Sequence, residues 1–148
     1  MVALLDVNVL VALAWPNHVH HTQAHRWFSA RMPRDWATCS IVELGFVRVS
    51  SNARAVPAAV SPQEAAALLQ RITALPDHRF WADDIRFAES PHVGRSRVVG
   101  HQQVTDAHLV GLAIRNGGRL ATFDAGVCAL VAPGISAAAA VEVIPSAF

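Results

Sequence analysis

Four carboxylates lie inside apolar stretches of this sequence, where a folded protein offers little water. They are Asp6 in MVALLDVNVLVALAW, Glu43 in ATCSIVELGFV, Asp106 in QVTDAHLVGLAI and Asp124 in RLATFDAGV. Removing an ionised carboxylate from water costs several kcal/mol or more unless it is paired, hydrogen-bonded or bound to a metal. The other seven acidic residues mostly lie in polar or segment-boundary contexts. These four carboxylates are therefore where we expect chemistry.

Three or four carboxylates in one place repel each other unless a divalent cation lies among them. Ligation by oxygen alone favours Mg²⁺ or Mn²⁺ over zinc. Magnesium held by few carboxylates keeps positions for water and phosphate, and it offsets charge on a leaving oxygen. If the four side chains meet, the predicted reaction is phosphodiester hydrolysis.

Short apolar runs alternate with amphipathic segments along the chain. The predicted strands cover residues 2–5, 36–39, 78–81, 120–123 and 141–144. The predicted helices cover residues 8–14, 20–32, 40–50, 62–75 and 105–116, and residues 83–103 are expected to form one short helix plus a loop. Pro33 is expected to close the second helix. Alternation of this kind predicts an α/β fold with a parallel sheet covered on both faces.

Strand polarity predicts that the four acids converge. Ligands of parallel sheets bind outside the carboxyl ends of the strands, and Asp6 and Asp124 fall at such ends. Glu43 and Asp106 fall in the first turns of helices that start from the same edge. Each acid also has a structural interpretation, because Glu43 could form a capping box with Ser40 and Asp106 follows a possible capping threonine. Asp124 could be a turn residue, and Asp6 could cap the first helix.

The same segments resemble the four acidic motifs of a known family. LLDVNVL, TCSIVELGFVR, QVTDAHLVGLA and LATFDAGV look like the motifs of PIN-domain ribonucleases, in particular VapC toxins of bacterial toxin–antitoxin pairs. The resemblance spans nearly the whole chain, in order and spacing. It implies a three-layer α/β/α sandwich with a central parallel sheet of four to five strands. It also implies Mg²⁺-dependent endonucleolytic cleavage of RNA, a homodimer, and neutralisation by a cognate VapB-type antitoxin.

The resemblance ranks the site residues. Asp6 and Asp106 match the principal metal ligands of the family, and Glu43 and Asp124 complete the acidic pocket directly or through water. Asn8 and Thr105 match polar residues beside the first and third acids, where hydrogen bonding to the site and helix capping are both open interpretations. Arg48 could bind the substrate phosphate or pair with a carboxylate, or simply be solvated. In the third predicted helix, the sequence pattern places Ile41, Leu44, Phe46 and Val47 on the buried face.

Two further polar groups have several interpretations. His18, His20, His21 and His25 form a cluster in which the i, i+4 spacing of His21 and His25 would suit zinc, although no acid or cysteine lies nearby to complete such a site. The polar loop before Asp106 could form an RNA-contacting rim or be solvated. Its candidate contact residues are Arg86, Arg95, Arg97, His101, Gln102 and Gln103.

Composition excludes several function classes. All 12 basic residues are arginine, and the absence of lysine rules out a Walker A loop, a Schiff-base enzyme and a haloacid-dehalogenase-type phosphatase. No apolar run approaches the roughly 20 residues of a membrane span, so we expect a soluble, cytoplasmic protein that forms a single domain over residues 1–148. Two cysteines make no disulfide framework, and we expect free thiols. A metal-dependent DNA or flap nuclease and a non-catalytic module that binds RNA or a partner remain the alternatives.

Overall fold

The computed structural model describes residues 1–31 and 35–146. Five strands form one parallel sheet in the order β3-β2-β1-β4-β5. The strands are β1 (Ala3–Leu5), β2 (Trp36–Cys39), β3 (His78–Trp81), β4 (Arg119–Thr122) and β5 (Val141–Val143). The helices are α1 (Val7–Ala14), α2 (His21–Ala30), α3 (Ser40–Ser50), α4 (Pro62–Thr73), α5 (Val104–Arg115) and α6 (Ala137–Ala140). Short 3-10 turns occupy Arg95–Arg97, His101–Gln103 and Ala125–Leu130.

The central strand β1 divides the core between the two faces of the sheet. Leu4 packs in a cluster with residues of α5, whereas its neighbours Ala3 and Leu5 pack in a second cluster that contains Leu10 of α1 and Phe46 of α3. Successive side chains of a strand point to opposite faces, so a fully apolar strand of this kind serves both layers. The predicted three-layer parallel α/β architecture is confirmed.

Most predicted element boundaries lie within two residues of the observed ones, and β2, β3 and α3 coincide with prediction. Ser61 and Glu64 form the full capping box at the start of α4, with Pro62 in the first turn. Helix α2 ends at Ala30, and the predicted extension to Met32 and Pro33 lies outside the described residues. Residues 83–103 contain two 3-10 turns instead of one short helix. The turn at Ala125–Leu130 and helix α6 were not predicted.

Two predictions about helix surfaces and ends are wrong. Leu44 is 66% exposed, because α3 turns Val42, Gly45 and Phe46 inward and a Cβ at Gly45 would lie only 2.6 Å from a methyl group of Val7. The close approach of α1 therefore sets the buried face of α3. Thr105 does not cap α5, because the preceding 3-10 turn runs directly into the helix and Gln103 takes the cap position.

Candidate active site

Three of the four predicted acids line one pocket at the carboxyl edge of the sheet. Asp6, Asp106 and Asp124 share a cavity of about 340 Å³, which Asn8 and His18 also line. Asp6 follows β1 directly, Asp124 follows β4 after one intervening residue, and Asp106 lies in the first turn of α5. Because β1 and β4 are parallel neighbours, their carboxyl ends bring residues that are far apart in sequence to one place.

Asp6 is the most constrained of these acids. Its side chain is buried, and its Oδ1 accepts a hydrogen bond from the backbone N–H of Val7 at 2.7 Å as the cap of α1. Its Oδ2 accepts a hydrogen bond from the Thr122 hydroxyl at 2.8 Å. The capping interpretation and the site interpretation of Asp6 therefore both apply, one to each oxygen.

Thr122 is a site residue that the sequence analysis did not single out. Its buried hydroxyl donates to Asp6 and accepts hydrogen bonds from Asn8 Nδ2 at 3.3 Å and from the backbone N–H of Asp124 at 3.1 Å. One donor and two accepted bonds use the full capacity of a hydroxyl group. In the sequence, the feature that indicates this role is the position of Thr122 at the end of an apolar strand, two residues before Asp124.

Asn8 joins this network from α1. Its amide donates to Thr122, and its Oδ1 accepts a hydrogen bond from the backbone N–H of Phe123 at 3.4 Å. Asn8 therefore holds the end of β4 against the start of α1. Its contact with the carboxylate of Asp6 runs through the Thr122 hydroxyl.

Burial and mutual repulsion raise the pKa values of two acids in the pocket. Burial raises the pKa of Asp6 above its usual value, although hydrogen bonds from Thr122 and Val7 oppose this and the charge of Asp124 adds to it. The pKa of Asp106 rises to about 6, mainly through burial and then through the charges of Asp6 and Asp124. Among the described residues, no arginine lines this pocket to offset these charges.

The donor set fits a hydrated divalent cation. Across residues 1–31 and 35–146, no three His, Cys, Asp or Glu side chains are gathered closely enough to enclose one metal ion. Mg²⁺ does not require such a cage, because it keeps several waters and binds through one or two carboxylates. An open pocket that three carboxylates line meets that requirement.

Glu43 has a hydrogen-bonding environment of its own. It does not line their pocket, and its Oε1 accepts a hydrogen bond of 2.6 Å from the buried hydroxyl of Thr38 on β2. The same hydroxyl lies 2.8 Å from Nε2 of His78 on β3, which must donate because the hydroxyl proton is already used. Burial lowers the pKa of His78 and the nearby Glu43 opposes this. The suggested capping box with Ser40 does not form, since α3 has no side-chain cap.

Thr105 and Arg48 make no contact with the acidic pocket. Thr105 lies exposed in the first turn of α5, and Arg48 lies exposed in the last turn of α3. Neither side chain pairs with a carboxylate in the part of the chain that the structure describes. A contact between Arg48 and a substrate phosphate stays a prediction.

The histidine cluster consists of two parts. His21 Nδ1 donates to the carbonyl of Ala12 at 2.8 Å, and His25 Nε2 donates to the carbonyl of Leu13 at 2.9 Å, so both cap the end of α1 from α2. His20 stacks on Phe123 with ring centroids 4.7 Å apart, and His18 lines the acidic pocket. The zinc interpretation of His21 and His25 is not supported, because among the described residues no third His, Cys, Asp or Glu side chain joins them to complete a metal site.

The polar loop before Asp106 is internally bonded in part. Arg95 donates to the carbonyl of Ser90 at 2.6 Å, and Gln103 Oε1 accepts from two backbone N–H groups of the loop. Arg86 pairs with Glu89 on the surface, and Arg97 is exposed.

No helix among the described residues is long and apolar enough to cross a membrane.

A family model and several curated proteins are similar to this chain in sequence. The PIN domain family model matches residues 3–132. Ribonuclease VapC39 of Mycobacterium tuberculosis is 47% identical over 135 residues, which cover 91% of this chain and 97% of the relative. Ribonuclease VapC38 of the same organism is 49% identical over 128 residues, covering 86% and 89% of the two chains.

Solved structures share the fold at low sequence identity. The structure of VapBC2 from Rickettsia felis bound to a DNA fragment from their promoter aligns with a TM-score of 0.66 at 13% identity, covering 98% of this chain and all of that chain. The structure of FitAB bound to the IR36 DNA fragment aligns with a TM-score of 0.58 at 15% identity, covering 97% and 94%. Taken with the sequence relatives, these findings identify the family: the chain belongs to the PIN-domain family, in the group that contains the VapC ribonucleases.

Proposed function

We propose that this protein is an endoribonuclease that hydrolyses RNA phosphodiester bonds with a divalent cation, Mg²⁺ or Mn²⁺, and serves as the toxin of a toxin–antitoxin pair. The observation that carries the proposal is the meeting of Asp6, Asp106 and Asp124 in one open pocket that no arginine of residues 1–31 and 35–146 lines. Relatives of 47% and 49% identity that are named ribonucleases support RNA as the substrate.

Asp6 and Asp106 would hold the cation, with Asp124 completing the site directly or through water. A divalent cation bound there would supply electrostatic stabilisation of the charge that builds on the phosphate oxygens. Within the chain, Thr122 and Val7 fix the orientation of the Asp6 carboxylate. Asp124 is exposed and its Oδ1 is held by the backbone N–H of Gly126 at 2.8 Å, so its second oxygen can accept a hydrogen bond from an attacking water.

Glu43 would contribute to the same reaction at the rim of the site. Its carboxylate is fixed by Thr38, which stands one residue before the end of β2 and therefore close to the edge where the aspartates meet. Asn8 would position Asp6 through Thr122, and Arg48 would contact the backbone of the RNA. Thr105 is exposed beside Asp106, so its contribution would be a direct contact with the bound RNA.

For the assembly, we propose a homodimer that is neutralised by a VapB-type antitoxin. Family membership supports this proposal. We also propose that residues 1–148 form one domain, because the first strand, Ala3–Leu5, and the last strand, Val141–Val143, belong to the same sheet.

Cleavage of a fluorescent single-stranded RNA tests the enzyme. We expect cleavage in Mg²⁺ or Mn²⁺, none in EDTA, and a loss of at least about 100-fold in Asp6→Asn and in Asp106→Asn. Both substitutions keep the size of the side chain, and asparagine retains the capping ability of Asp6. Glu89→Gln, a surface change in an exposed ion pair, is the matched control and should cleave at the wild-type rate. Retained cleavage by either aspartate variant, with its fold intact by circular dichroism, would refute the assigned roles.

Two comparisons separate the alternative functions. A matched DNA oligonucleotide should resist cleavage, and equal rates on DNA and RNA would favour the DNA or flap nuclease. Induction in a bacterial host should arrest growth for the wild type but not for Asp106→Asn. If both arrest growth equally, the protein acts by binding and not by hydrolysis.

A further inference from the structure

An apolar groove of about 560 Å³ adjoins the acidic pocket. Residues 15–19, between α1 and α2, form one wall, and residues 55–58, between α3 and α4, form the other. His18 and Ala55 line both the groove and the acidic pocket, so the two spaces are neighbours that share part of their walls. A ligand in the groove would therefore lie close to a phosphate bound in the acidic pocket.

The walls of the groove are held in place before any ligand binds. Trp15 Nε1 donates to the buried hydroxyl of Ser50 at 2.9 Å, which fixes the indole ring. At the other end of the same loop, His20 stacks on Phe123, the residue before Asp124. A rigid aromatic surface binds at a low cost in conformational entropy.

The lining of the groove is apolar and uncharged, which suits a flat, uncharged ligand. Tryptophan, proline, valine and alanine supply most of the surface, and within the described residues no charged side chain lines the groove. The two polar members are Asn17, whose amide makes no hydrogen bond to a described residue, and His18. His18 Nδ1 accepts a hydrogen bond from the backbone N–H of His20 at 3.0 Å, so the neutral ring carries its proton on Nε2. Burial, with the neighbouring His20 and His21, lowers the pKa of His18 and favours this neutral form.

We propose that this groove binds one unstacked base of the RNA, that of a nucleotide flanking the scissile phosphate, and so determines which sequence is cut. The proposal rests on RNA hydrolysis at the acidic pocket. Single-stranded RNA is recognised by proteins through bases stacked on aromatic side chains and hydrogen-bonded at their edges. Trp15 offers the stacking surface, and Asn17 and His18 offer hydrogen-bonding groups beside it. The shared residues place this base beside the phosphate in the pocket.

Abasic RNA tests the proposal. A single-stranded RNA with one mapped cleavage site is compared with two copies that carry an abasic ribose on either side of the scissile phosphate. We expect one abasic copy to be cleaved with a kcat/KM at least about tenfold lower, mainly through KM, because base stacking on an aromatic side chain contributes on this scale. Equal kcat/KM on all three RNAs would overturn the proposal.

A substitution that fills the groove, with a matched control outside it, gives a second test. Ala58→Trp adds bulk to an exposed wall residue without removing core contacts, and Ala53→Trp adds the same bulk in the same connection outside the groove. We expect Ala58→Trp to lower kcat/KM about tenfold on intact RNA and to leave the sensitive abasic RNA at the wild-type value. Ala53→Trp should match the wild type on both RNAs. An equal loss on intact and abasic RNA would show a general defect and overturn the proposal.

A binding measurement separates this inference from the proposed function. If the wild type cleaves no RNA in Mg²⁺, the proposed function fails, whatever occupies the groove. Fluorescence anisotropy in EDTA then tests the groove by itself, with a labelled single-stranded RNA and copies that carry an abasic ribose at each position in turn. Weaker binding of at least one abasic copy supports the groove as a base site, and equal affinities for all copies overturn it.

Discussion

The two oxygens of Asp6 have different partners, and this division connects helix formation to the site. Oδ1 caps α1 through Val7, while Oδ2 is held by Thr122 from the neighbouring strand. The buried hydroxyl of Thr122 supports both Asp6 and the backbone of Asp124. A single threonine thus orients the carboxylate of Asp6 and fixes the backbone at Asp124.

Thr122→Val should weaken both the fold and the site. Valine keeps the shape but removes the donor to Asp6 and leaves a buried carboxylate with one hydrogen bond fewer, at a cost of about 1–3 kcal/mol in the free energy of unfolding. We also expect the affinity for Mn²⁺ and kcat to fall, because Asp6 loses its fixed orientation. Urea denaturation in EDTA, calorimetric Mn²⁺ titration and RNA cleavage measure the three effects.

Thr122→Ser is the matched control for that change. Serine restores the hydroxyl and loses only a methyl group, so Mn²⁺ affinity and kcat should return close to wild type even if some stability is lost. If serine and valine reduce Mn²⁺ affinity equally, Thr122 does not position Asp6.

At the scale of the elements, the end of α1 is capped by side chains of α2. Pro16 has no backbone N–H, so the chain itself cannot supply an i+4 donor to the carbonyl of Ala12. His21 supplies that donor from α2, and His25 does the same for Leu13. The i, i+4 spacing that suggested zinc instead lets the two rings bind the carbonyls of two consecutive residues, Ala12 and Leu13.

His21→Ala should destabilise the protein without affecting a metal. Loss of the hydrogen bond to Ala12 leaves a carbonyl of the α1 terminus without its donor, which costs about 1 kcal/mol. Thr22→Ala, at an exposed neighbouring position on α2, is the control and should stay within about 0.5 kcal/mol of wild type. Thermal unfolding with and without zinc provides the measurement. A zinc-dependent rise in Tm for the wild type that His21→Ala abolishes would contradict the capping role.

At the scale of the whole molecule, Glu142 connects α2 to the last strand of the sheet. Its carboxylate accepts hydrogen bonds from Trp27 Nε1 at 2.7 Å and from Arg31 at 2.9 Å, and Arg31 also reaches the carbonyl of Met1 at 2.9 Å. Arg31 packs over the ring of Trp27 at 5.0 Å. Both charged side chains are largely shielded from water, with 16% and 25% exposure, so solvent screens this ion pair weakly.

Glu142→Ala should lower the free energy of unfolding by about 2 kcal/mol, because Trp27 and Arg31 lose a shared acceptor in a shielded place. Glu89→Ala breaks an ion pair whose side chains are 77% and 61% exposed, and it should change stability by no more than about 0.5 kcal/mol. Denaturation followed by tryptophan fluorescence and by circular dichroism should shift as one transition, as expected for a single domain. A second transition that Glu142→Ala leaves unmoved would contradict that view.

The sequence by itself determined the strand and helix pattern and the placement of Asp6, Asp106 and Asp124 at one edge. These follow from local periodicity and from the polarity of parallel strands, which is why β2, β3 and the capping box of α4 agree with prediction. Thr105 was wrongly assigned because helix starts depend on the turn that precedes them, and the 3-10 turn at His101–Gln103 carries no strong signal.

Only the tertiary structure decided which groups meet across the sheet. Glu43 is held by Thr38 from β2, beside His78 of β3, and does not line the pocket of the three aspartates. The network of Thr122 and the groove built from residues 15–19 and 55–58 likewise join segments that are distant in sequence. Such contacts depend on strand order and helix packing, which the alternation of polar and apolar residues leaves open. Of the four carboxylates that lie in apolar stretches of the sequence, three therefore line one pocket, and Glu43 is bound beside it.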